Sequence, residues 1–216
     1  MRSIRYSLHF PLLIVATLVF WLAKDINFPV RISNFDFFQF GLMGVLHATA
    51  LVVSLRNRNA NHPIIALCFI TLAAVWSAVT PVLGLWGSIV WTPILWTPLA
   101  GVFRGGHFGP VLIFLTGSAI GAAGYWLLVR LFWMKSLRRV DCLRTVALCV
   151  AATLLSSVVL EVLPQSLDRT VNGDISSLVL TAVWWFAFSI SLYWSEMSRN
   201  AKKSAETMVG AASLNS

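Results

Sequence analysis

Residues 64–103 read IIALCFITLAAVWSAVTPVLGLWGSIVWTPILWTPLAGVF, and the threading of this one apolar run decides the fold. A membrane-crossing helix needs about 20 apolar residues, so the run is too long for one crossing and awkward as two. It is broken by Thr80-Pro81, by Gly84-Leu85-Trp86-Gly87, and by a tandem pentad in which Trp91-Thr92-Pro93-Ile94-Leu95 is followed by Trp96-Thr97-Pro98-Leu99-Ala100. It leaves through Arg104-Gly105-Gly106-His107.

The rest of the chain has the same character. Of its 216 residues 58% are hydrophobic and 11% charged, against about a quarter charged in a soluble domain. The apolar blocks are continuous and lack the alternation of a transmembrane barrel, so they read as α-helices that satisfy their own backbone hydrogen bonds. The fold class is therefore all-α, a polytopic membrane bundle. Six crossings fit, at about 7–23, 37–55, 64–83, 109–133, 145–163 and 176–195. Residues 1–198 form one domain, and the Ala-, Ser-, Asn- and Lys-rich stretch 199–216 reads as a disordered cytoplasmic tail. Phe20-Trp21 stands where signal cleavage would need small residues, so the first block reads as a retained anchor.

Charge sets the topology. Arg2, Arg5, Arg56, Arg58, Arg130, Lys135, Arg138, Arg139, Arg144, Arg199, Lys202 and Lys203 fall on one side, twelve of the sixteen Lys and Arg. The other side holds Lys24, Arg31, Arg104 and Arg169. The positive-inside rule then makes both termini cytoplasmic and suits a bacterial inner membrane. A seventh span at 87–103 would move the basic 135–144 linker to the weakly charged side. That stretch, with two prolines and Trp residues suited to an interface, reads as re-entrant or interfacial.

The net charge of +8 sits at the ends of apolar blocks, where it meets lipid headgroups; no basic face interleaved with aromatics points to nucleic acid. Cys68, Cys142 and Cys149 all map to the cytoplasmic side or inner leaflet and form no C-x-x-C or zinc spacing. No catalytic, metal or cofactor signature is present.

The candidate polar residues are few. His47 lies mid-span in the second block, where an ionisable group is costly and points to a relay or ligand contact; the structural alternative is a neutral ring bonded to a carbonyl or hydroxyl. Thr153, Ser157 and Glu161 recur at four-residue spacing, a polar stripe on an apolar helix. The topology brings Glu161 level with Arg104 and His107, a pairing that either locks the Trp-Thr-Pro segment or floors an outward site. Gly117, Gly121 and Gly124 give the fourth helix a small-residue face for close helix packing, within the chain or with a second copy or membrane-complex partner.

Several families are excluded by residues. Around His107-Phe108-Gly109-Pro110 there is no aquaporin Asn-Pro-Ala signature. Thr116-Gly117 has no histidine in 176–195 to act as the base of a rhomboid-type dyad, and charged re-entrant motifs of the DedA type are missing. Three functions stay open: a small transporter or membrane substrate-binding subunit, a non-catalytic subunit or scaffold of a membrane assembly, and an intramembrane enzyme on a lipid-linked substrate using Glu161, His107 and Arg104.

Overall fold

The computed structural model describes residues 4–23, 37–55, 63–99, 108–162 and 169–214, with side chains left aside at 37–39, 91–99, 108–110, 160–162, 169–178 and in parts of 203–214. The described chain forms α1 (Tyr6–Ala23), α2 (Phe37–Ser54), α3 (Pro63–Leu99), α4 (Phe108–Phe132), α5 (Arg139–Val162) and α6 (Arg169–Leu214). Each helix packs on its neighbours in sequence, and α6 returns to α1, so the six close into a ring. Four have segments long and apolar enough to cross a membrane: Tyr6–Ala23, Pro63–Val90, Val111–Phe132 and Arg139–Val159.

Exposure follows the same logic. Leu22, Leu67, Trp86, Leu143 and Leu155 are each at least 65% exposed, an arrangement that water would penalise and lipid does not. The interior is aromatic. Phe69, Tyr125, Trp126, Trp133, Trp185 and Phe188 are buried in the core. Tyr125, Trp184, Trp185 and Phe188 meet edge to face or stacked, with centroids 4.7–6.0 Å apart, near the separations such pairs prefer.

The long apolar run corrects one expectation. A helix ending near 83 and a separate segment from 87 were expected; instead α3 is one helix of 37 residues through Pro81, Pro93 and Pro98. At about 1.5 Å per residue it is roughly 55 Å long, well past a hydrocarbon core of about 30 Å. The physical reason lies in the packing. Proline removes one donor but does not end a helix whose alternative is bare backbone in an apolar setting, and Thr80 Oγ1 donates to the Trp76 carbonyl at 2.7 Å beside Pro81. Gly84 does not break the chain either. It is the point where α3 touches α4: a Cβ there would stand 2.9 Å from Gly117 Cα and 2.9 Å from the Ile113 carbonyl oxygen.

The residues after Ser198 also differ from the composition-based reading, since α6 stays helical to Leu214. The start of α5 is set locally. The Asp141 carboxylate accepts the Arg138 backbone N–H at 2.8 Å, the returning half of a capping box at the first turn of α5.

One end of the bundle gathers the basic linkers. The Arg5 N–H donates to the Ser54 carbonyl at 2.8 Å, and Ile4 bridges Leu55. Glu196 on α6 accepts the Ile4 N–H at 3.4 Å and the Tyr6 hydroxyl at 3.2 Å. Arg199 donates to Ser136 of the α4–α5 turn and to the Ser195 carbonyl at 2.7 Å. The start of α1, the end of α2, the 133–138 turn and residues 195–199 thus share an end, as the charge map requires. Glu196→Ala removes the acceptor that holds the N-terminal residues on α6. Amide exchange at Ile4–Leu8 is expected to rise about tenfold with the rest of the bundle unchanged, measured by hydrogen–deuterium exchange; unchanged exchange there would show that the backbone bridge to Leu55 suffices.

Candidate functional site

The bundle encloses hydrogen-bonding side chains in three groups. At the basic end, His9 (2% exposed) sits between two hydroxyls, with Nδ1 3.1 Å from Ser54 Oγ and Nε2 3.0 Å from Ser189 Oγ. Ser54 Oγ donates to the Leu51 carbonyl at 2.7 Å, so Ser54 accepts from His9 Nδ1–H and Ser189 is left to donate to Nε2. One helical element from each of α1, α2 and α6 meets here.

Higher in the bundle, His47 (1% exposed) lies with Nδ1 2.8 Å from the Met43 carbonyl. A carbonyl only accepts, so Nδ1 carries the proton. Nε2 faces Thr17 Oγ1 at 3.4 Å. The ring stacks on Trp185, centroids 4.3 Å apart and planes at 7°. His9, His47, Trp185 and Ser189 line a cavity of about 10 Å³, the least that holds one water molecule.

The third group joins α4, α5 and α6. Ser118 Oγ accepts the Trp184 indole N–H at 2.9 Å. Thr153 Oγ1 lies 3.0 Å from the same oxygen and 2.9 Å from the Cys149 carbonyl, and its single proton goes to one of them. Thr145 Oγ1 and Ser191 Oγ pair at 2.6 Å on the same side of α6, while Tyr125 Oη donates to the Ala73 carbonyl at 2.9 Å and meets Ser77 Oγ at 2.6 Å.

The structure thus places His47 and Thr153 among buried, bonded groups, but in separate groups. Ser157 returns its hydroxyl to the Thr153 carbonyl of its own helix at 2.8 Å, so it does not extend Thr153 into a path. α5 carries Glu161 in its last turn; its side chain, and all of Arg104 and His107, lie outside the described residues, and so does the pairing drawn between them. The glycine face turns inward: Gly117 meets Gly84, Gly121 meets Thr80 and Trp184, and a methyl at Gly124 would overlap the Trp76 indole. That face is occupied by α3 and α6 of the same chain. Among the described residues no three His, Cys, Asp or Glu converge for a metal ion.

Sequence reasoning passed over His9, Thr17 and Ser189. The signal was present in α6, where Ser189 and Glu196 recur at helical spacing behind Trp185, a polar edge on an apolar span. The fold and this interior define a class: an all-helical protein with several helices apolar enough to span a membrane and a hydrogen-bonded interior. Comparison with protein-family models, with curated proteins and with solved structures finds no match for the chain.

Proposed function

We propose that this is a small multi-pass solute-handling protein, a transporter or the membrane substrate-binding subunit of one, with six spans and both termini on the basic, cytoplasmic side. The observation that carries the reading is the polar interior: hydroxyls and imidazoles of α1, α2, α4, α5 and α6 turn inward while the outer faces are bare apolar. Intramembrane polar groups are costly, and they mark solute and proton pathways more often than packing alone requires.

The test is a ligand screen on the full chain in lipid nanodiscs, followed by uptake into proteoliposomes. A small polar solute is expected to raise the unfolding temperature and to be taken up, and Thr153→Val is expected to weaken both. No stabilising solute across amino acids, sugars, organic anions and inorganic ions overturns the reading.

A scaffold role has one observation in its favour, that the cavity beside His47 has room for a water and not for a solute. Native-membrane purification separates the two: a stoichiometric membrane partner, with no solute response, supports the scaffold.

A further inference from the structure

We propose that His47 is a proton-binding site, built to hold an imidazolium inside the bundle. The argument starts from which atoms around the ring can accept. Nδ1–H is fixed on the Met43 carbonyl at 2.8 Å. Nε2 faces Thr17 Oγ1 at 3.4 Å, but the Thr17 hydroxyl already donates to the Leu13 carbonyl at 2.8 Å. In the neutral ring two lone pairs therefore face each other, and turning the Thr17 proton to Nε2 gives up a 2.8 Å bond for one of 3.4 Å. Add a proton to Nε2 and the conflict disappears, because both ring nitrogens then donate to atoms that only need to accept.

The third contact has the same preference. The Trp185 ring lies parallel to the imidazole at 4.3 Å, where an indole face attracts a cation more strongly than a neutral ring. Burial opposes any charge; two charge-assisted hydrogen bonds and an aromatic face act in the opposite direction. His9 is different, since its neutral form is already satisfied by Ser54 and Ser189.

The surrounding titratable groups fit. From α1 the cavity receives His9 and from α4 Tyr125; α3 contributes Phe69, and α6 Trp185 and Ser189. Glu196 and Arg199 stand farther along α6, engaged with Tyr6 and Ser136. The cavity that the His47 ring borders has room for a single water; on protonation one O–H bond of a hydronium breaks, the Nε2–H bond forms, and water is left. The Trp185 indole N–H is buried with no acceptor among the described residues.

The assignment rests on contacts of His47 alone and deepens the solute reading only as a coupling ion. The experiment is ring-15N-histidine NMR of the full chain in nanodiscs as pH is lowered. One histidine is expected to pass from one protonated and one bare ring nitrogen to two protonated ones, and its signal to vanish in His47→Gln. Thr17→Val is expected to lower the proton affinity about tenfold, or about one pH unit, with Thr17→Ser near wild type. Trp185→Phe, which keeps the shape of a ring but weakens its face, is expected to lower it about threefold. A bare Nε2 at every pH where the fold persists overturns the proposal, as does a midpoint indifferent to both substitutions. Solute uptake with a non-titrating His47 leaves the solute reading standing; a titrating His47 without any solute response does the reverse.

Discussion

Gly84→Ala is expected to destabilise the bundle by about 3 kcal/mol, and Gly117→Ala, at the facing position, by less than about 1 kcal/mol. The two glycines touch, yet they are not equivalent. A Cβ at 84 meets backbone on two sides, Gly117 Cα and the Ile113 carbonyl, both at 2.9 Å. Backbone cannot rotate away, so α3 and α4 must separate and give up contacts over several turns. A Cβ at 117 instead lies 3.8 Å from Gly84 Cα and 3.9 Å from the Thr80 carbonyl, ordinary van der Waals distances, and alanine is the better helix former by about 1 kcal/mol. Reversible unfolding in mixed micelles measures both. Equal costs at the two positions would mean that α3 crosses α4 elsewhere.

This asymmetry bears on what could be read in the residues themselves. The apolar blocks and the clustering of Arg and Lys at their ends made the helices and their shared basic end legible, because lipid solvation and lipid charge act on composition directly. The continuity of α3 was not legible. Two glycines and three prolines carry the same letters whether they break a helix or let a neighbour approach, and only the partner, Gly117, distinguishes the cases. The interior polar groups were half legible. His47 and Thr153 stood out as polar residues in apolar helices, but His9 lies three residues from Tyr6, near a block's end, where such a residue reads as interfacial. Which hydroxyl each would meet depends on how α1, α2 and α6 rotate about their axes, and their apolar surfaces are too uniform to fix that rotation from sequence.

Ser118 carries the second large effect. Its oxygen accepts the Trp184 N–H at 2.9 Å and lies 3.0 Å from Thr153 Oγ1, so it joins α4 to both α5 and α6. Ser118→Ala keeps the volume nearly unchanged and removes the acceptor. Trp184 N–H then has no partner at that place in an apolar interior, and the expected cost is about 2 kcal/mol, at the upper end for interhelical hydrogen bonds in membranes. Thr153 loses less, since the Cys149 carbonyl at 2.9 Å offers its proton a second acceptor. Trp184→Phe removes the orphaned donor while keeping the ring stacked on Phe188 at 5.7 Å. The two substitutions are therefore expected to be non-additive, the double variant recovering about 1 kcal/mol relative to the sum of the singles. Additive costs would place the stabilisation in ring packing alone. Recovery would show that polar groups hold α4 and α6 together.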